Sequence, residues 1–180
     1  MASILALAGM MISCNPNNPD KKGTDVSKVD PATLDNTVEK CWYCVLDGTL
    51  EDVHTVRDGY IWGTEKNVVE EIQDNAKEIE EELKENGIND YSYTCYYSEA
   101  TDADNSASCK DLDEAAMEAY LETFSCWKIV ARLGFQSETM YEWCDELDCK
   151  ILQIMYRHYG AKVTYEAVEA ADENACKAME

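Results

Sequence analysis

Two tryptophan-bearing blocks occur twice in the same order, and this internal repetition constrains the fold more than any other feature of the chain. Cys41-Trp42 returns as Cys126-Trp127, and Tyr60-Ile61-Trp62-Gly63-Thr64-Glu65 returns as Tyr141-Glu142-Trp143-Cys144-Asp145-Glu146. After each comes an amphipathic stretch closed by glycine (Gly87, Gly160), a β-prone run with tyrosine (Tyr93, Tyr165) and a polar segment with Cys109-Lys110 or Cys176-Lys177. The offset between copies falls from 85 residues at the Cys-Trp pairs to 81, 73 and then 67, so the first copy carries several small insertions. All four tryptophans occupy matched positions. Such self-similarity marks a duplicated supersecondary unit, here residues 36–110 and 122–180.

Within each unit the local chemistry reads strand, helix, strand. Thr37 to Leu46 and Thr123 to Arg132 are short runs rich in β-branched and aromatic residues, the composition of strands. Val68, Ile72, Ala76, Ile79 and Leu83 recur every three or four residues, as do Met140, Trp143, Leu147, Ile151, Ile154 or Met155, and Tyr159. Each set defines one apolar helix face. Gly87 and Gly160 supply the stop favoured just past a helix C-terminus. Tyr91 to Ser98 and Lys162 to Val168 read as returning strands, and a short helix near Leu112 to Leu121 joins the halves. Two βαβ units in tandem give an α+β fold, a ferredoxin-like sandwich with an antiparallel sheet and both helices on one face. A mainly helical domain is the alternative, because the strands are short and the linker is helix-prone.

The cysteine count separates one residue from the rest. Of nine cysteines, Cys14 closes a charge-free apolar opening, and the other eight can pair completely. Residues 4–13 are too few to cross a bilayer, which takes roughly 20 apolar residues, but they suit the core of a secretory signal. Met11-Ile12-Ser13-Cys14 resembles the lipobox of bacterial lipoproteins. The resemblance implies that residues 1–13 are a cleaved signal peptide and that an acylated Cys14 becomes the N-terminus. It also implies an address, the bacterial cell envelope, with a lipid anchor in the outer membrane. Two or more acyl chains, at about 0.8 kcal/mol per buried methylene, hold a protein there stably. The bland reading of this segment is an N-terminal core element with a buried cysteine. Pro16, Pro19, Pro31 and Gly23 lie in an aperiodic polar run, which reads as a tether over residues 14–35 before an α+β domain over 36–180. A coil of about 20 residues spans roughly 25 Å.

Eight further cysteines in an exported chain point to disulfides in an oxidising compartment. Repeat symmetry pairs Cys41 with Cys109 and Cys126 with Cys176. Cys44, Cys95, Cys144 and Cys149 have no counterparts. Five residues apart on a helix, Cys144 and Cys149 would stand about 7.5 Å apart along the axis. Either they tie to Cys44 and Cys95, or the helix starts after Cys144 and they pair locally. Cys41-Trp42-Tyr43-Cys44 resembles the C-x-x-C of thioredoxin-like oxidoreductases, which implies a redox-active Cys41/Cys44 pair. That family sets its cysteines at a helix N-terminus opposite a cis-proline. Here the pair falls in a strand, where residues three apart face opposite ways, and no proline follows Pro31. A zinc site would need four reduced cysteines, and no second C-x-x-C is present.

Charge narrows the partners. With 37 acidic against 15 basic residues, a net charge of −22 repels phosphate backbones, which excludes nucleic acid as an expected partner. Glu70, Glu71, Asp74, Glu78, Glu80, Glu81, Glu82 and Glu85 surround the first helix stripe. Such a face is either simply solvated or a docking surface for a basic protein or divalent cations. Asp102, Asp104, Ser106, Ser108 and Asp113 have EF-hand-like spacing, but Ala107 stands where that loop needs glycine and Asp113 where it needs glutamate. His54 and His158 read as structural, His158 in a last helical turn where the dipole favours a cation. Tyr91, Tyr93, Tyr96 and Tyr97 read as strand packing before a ligand strip. No phosphate loop, nucleophile elbow or zinc-protease motif occurs, and no cofactor is expected. The chain therefore reads as a lipid-anchored binding or structural module of the envelope. The alternatives are a thiol-disulfide oxidoreductase using Cys41 and Cys44, and divalent-cation binding on the acidic surface.

Overall fold

The computed structural model describes residues 23–179. The signal segment, Cys14 and the first part of the tether lie outside them. In chain order the elements are β1 (Thr24–Asp25), β2 (Glu39–Leu50), β3 (Val53–Thr64), α1 (Glu65–Glu85), β4 (Tyr91–Glu99) and α2 (Ser106–Leu121). The second unit follows as β5 (Ser125–Leu133), β6 (Gln136–Cys144), α3 (Glu146–His158), β7 (Lys162–Val168) and α4 (Glu173–Lys177). The fold is mixed α+β with wholly antiparallel pairing: a four-stranded sheet in the order β1-β4-β2-β3 and a three-stranded sheet in the order β6-β5-β7.

Each unit carries one strand more than strand-helix-strand. The run after the Cys-Trp pair turns back as a hairpin, Leu50 opposite Val53 in the first unit and Leu133 opposite Gln136 in the second. The added strands give each unit a sheet of its own, so the single shared sheet of the ferredoxin-like layout is replaced by two. Met140 and Trp143, expected on the second helix, lie in β6, and α3 begins at Glu146. Asp145 ends the strand by capping that helix, accepting a 2.7 Å bond from the Asp148 N–H. Thr64 caps α1 at the matching position.

The joining helix is longer than expected because Asn105 and Ser108 form a reciprocal capping box that starts α2 at Ser106. Residues 24–34, expected within the tether, are docked. Val26 is buried against the first sheet, with Val29 and Leu34 packed beside it. Asp25 and Asp30 each cap a short 3-10 turn. Three apolar residues outweigh the local prolines and glycine that suggested a free coil.

The repetition is geometric as well as sequential. Trp42 donates its indole N–H to the Gly63 carbonyl and Trp127 donates to the Cys144 carbonyl, both at 3.0 Å. Trp42 rests on Tyr97 and Trp127 on Tyr165, at 5.5 and 5.7 Å between ring centres. Tyr97, not Tyr93, is thus the partner of Tyr165. The repeat-related helices α1 and α3 end alike, with Gly87 and Gly160 at positive φ. The Ile88 and Ala161 N–H groups bond back to the Leu83 and Tyr156 carbonyls, a Schellman ending.

Two sheet–helix cores result. Trp42, Cys44, Val68, Val69, Ile72, Cys95 and Tyr97 fill the first, and Ile129, Ala131, Cys149 and Val163 the second. A third cluster joins the units: Leu50, Leu83 and Ile88 of the first pack on Ile154 and Met155 of the second.

Candidate functional site

Disulfides join Cys41 to Cys109 and Cys126 to Cys176, the pairs that repeat symmetry singles out. Cys109 and Cys176 each follow a helix-capping residue by four positions, and their N–H groups bond back to the Asn105 and Asp172 carbonyls at 3.0 Å. The staples tie the first strand of each unit to the helix that follows its last strand. All four sulfurs are buried.

Cys44, Cys95, Cys144 and Cys149 are buried thiols. Cys44 and Cys95 sit in the first core and Cys144 and Cys149 in the second, so the structure does not bring one pair to the other. Because α3 starts after Cys144, Cys144 and Cys149 meet locally, 3.6 Å apart at sulfur. Nor does the C-x-x-C become a dithiol. Cys41 is bonded to Cys109 beneath α2, while Cys44 points the other way into the α1 core. Burial pushes the Cys44 thiol well above its ordinary range and lifts Cys95 to about 11, opposite to the depressed value a redox thiol needs.

The densest polar constellation is one the sequence reading did not single out. Arg57, on β3, reaches across the junction to Asp145 Oδ2 at 3.2 Å and Asp148 Oδ1 at 3.0 Å, in the first turn of α3. Its guanidinium carbon lies 4.9 Å from the centre of the Tyr120 ring, and the Tyr120 hydroxyl donates to Asp148 Oδ2 at 3.2 Å. One cation from the first unit, two carboxylates from the second and an aromatic from the linking helix thus share one site. Side-chain exposures of 13% for Arg57, 13% for Asp145 and 17% for Asp148 make it a partly buried cluster. Burial and the neighbouring Asp145 raise the Asp148 carboxyl to about 6, although Arg57 pulls it down.

At the far end of the junction the first hairpin tip docks on the C-terminus of α3. Glu51 receives Arg157 and His158, and Tyr159 bonds Asn86. Glu51 holds φ 52°, where the second hairpin has Gly134 at φ 60°. His158 thus closes the last turn of α3, as expected. His54 lies in β3 and pairs with Asp47 at 2.8 Å.

The other candidates resolve into structure. Asp58 is buried and accepts a 2.5 Å bond from the Tyr43 hydroxyl. Asp113 accepts the Tyr60 N–H at 2.9 Å. Ser106 and Ser108 belong to the first turn of α2 instead of a calcium loop. Among the described residues, no group of three or more His, Cys, Asp or Glu side chains converges to hold a metal ion. Tyr93 and Tyr97 turn onto α1, donating to the Ala76 carbonyl and Glu65. On the acidic helix, Lys66, Lys77 and Lys84 pair with Glu70, Asp74 and Glu80. A cleft of about 460 Å³ between the units presents His54, Lys150 and Arg157. Each already faces a carboxylate, Asp47, Glu146 or Glu51, so the cleft has no spare positive charge for an anion. Among the described residues no helix is long and apolar enough to cross a membrane.

Compared with protein-family models, curated proteins and solved structures, the chain matches none.

Proposed function

We propose that this chain is a lipid-anchored protein of the bacterial cell envelope, held through Cys14, whose stapled α+β domain serves as a binding or structural module and not as a catalyst. The observation that carries this reading is the pair of buried disulfides at equivalent places in the two units. Such bonds form and persist in oxidising compartments, which agrees with a signal-like opening. The partly buried charge cluster and the shared apolar contact weld the units into one block, which suits display of a surface more than an opening and closing site. The surface on display is strongly acidic, so the partners of matching chemistry are basic proteins or divalent cations.

The test is detergent-phase partition of the full chain expressed in a bacterial host, beside Cys14→Ser. Anchoring by lipid puts the wild-type protein in the detergent phase and the variant in the aqueous phase. Equal partition of the two refutes the anchor.

A further inference from the structure

We propose that Cys144 and Cys149 are a redox modification site, closing a third disulfide that locks the junction between the two units. Their sulfurs already lie in contact, 3.6 Å apart, against a disulfide bond length near 2.05 Å. The repeat supplies an independent observation. The 81-residue offset makes Gly63 and Val68 the equivalents of Cys144 and Cys149. A Cβ placed on Gly63 would come within 3.2 Å of Val68 Cγ2. The fold therefore presses the side chains at these two positions together in both units. In the first the contact is filled by glycine and valine; in the second both positions are cysteine.

In the bond-forming step, two thiols lose two protons and two electrons to the disulfide of an envelope thiol-disulfide oxidoreductase, which is left as a dithiol. A thiolate from this pair attacks the donor, and its partner resolves the mixed disulfide. Both thiols are buried once the domain has folded, so the exchange belongs to the folding chain, or to moments when the first turn of α3 opens. The ring closed by the bond, residues 144–149, contains Asp145 and Asp148, the two carboxylates that grip Arg57. Oxidation fixes the end of β6 to the first turn of α3 and holds both carboxylates under the guanidinium. Reduction leaves the helix start tied only by its cap.

This inference rests on the oxidising address proposed above, and one experiment separates the two. The full chain is isolated from host membranes, denatured, alkylated without reduction and digested with trypsin, which releases Leu133–Lys150 carrying both cysteines. The expected peptide is unalkylated and lighter than the dithiol form by two hydrogens. If Cys144 and Cys149 are alkylated, or linked elsewhere, while the Cys41–Cys109 and Cys126–Cys176 links are intact, the third bond is refuted and the address stands. If all these cysteines are alkylated, both fail. For the lock, mild reductant that opens only this bond is expected to speed amide exchange over residues 145–150. Unchanged exchange would overturn it.

Discussion

Replacing Arg57 with leucine removes the cation that bridges two inward-facing carboxylates. The cost follows from burial. With all three side chains partly buried, breaking the cluster leaves poorly solvated charge, at a cost between the about 1 kcal/mol ceiling of an exposed pair and the about 3–5 kcal/mol of a fully buried one. The Tyr120 ring loses its cation as well, a contribution included in that range. The penalty must depend on pH, because Asp148 can take up a proton instead of staying charged. Its folded value, about 6, lies above the ordinary 3.8. The folded state therefore binds this proton more tightly than the unfolded chain does. The stability this group contributes is greatest below about pH 4 and is lost as pH climbs through about 6. At pH 7.5 the variant must bury two bare carboxylates or bind a proton. At pH 5 Asp148 is already largely protonated in the wild type, so the loss of Arg57 costs less, by roughly 1.4 kcal/mol for each pKa unit involved. Urea unfolding followed by tryptophan fluorescence, wild type against Arg57→Leu at both pH values, reads the difference with the background carboxylates cancelled. A destabilisation below about 1 kcal/mol, or one equal at the two pH values, would refute a partly desolvated, proton-coupled junction.

Asp148→Asn, which keeps the shape but drops the raised charge, is expected to cost under about 1.5 kcal/mol at pH 7.5, the scale of one hydrogen bond, and to flatten stability between pH 5 and 7; a persistent slope would assign the titration to another group. At the first hairpin tip, Glu51→Ala and Glu51→Gly lose the same pairs with Arg157 and His158, but only glycine takes the positive φ without a Cβ penalty. The glycine variant should be the more stable by about 1 kcal/mol, and melting curves that place alanine level or above would show the tip is not constrained. Replacing Cys41 and Cys109 together by serine opens a crosslink spanning 68 residues, and Cys126 with Cys176 one spanning 50. Loop entropy gives about 4 kcal/mol for each, so denaturation midpoints should fall similarly for the two, while a loss confined to one would break the equivalence of the units.

The duplication was legible because Trp and Cys are scarce enough for two Cys-Trp pairs and two Tyr-x-Trp blocks to stand out, and symmetry alone then named both disulfides. The hairpins were less legible. β6 is an edge strand whose first four residues, Gln136 to Thr139, are exposed, so it lacks the apolar alternation that marks a strand. Met140 and Trp143 fell by chance into helical spacing with Leu147. The tyrosine match slipped by four residues because β4 holds four tyrosines, and only pairing against β2 shows that Tyr97 faces Trp42. The Arg57 cluster left no local trace: Arg57 is 88 and 91 residues from its partners, in a chain where carboxylates are everywhere. Its one available signal was that arginine is rare here, since Lys and Arg together number 15.

On the function proposed here, an exported, lipid-bearing chain carries a domain stapled at equivalent points of two repeats. The most direct measurement is an intact mass of the protein taken from host membranes and alkylated without reduction, with its N-terminal peptide sequenced. The expected result is a chain beginning at Cys14 with acyl mass added and no alkyl group on Cys41, Cys109, Cys126 or Cys176. A chain still beginning at Met1, with those four cysteines alkylated, would contradict both the address and the staples.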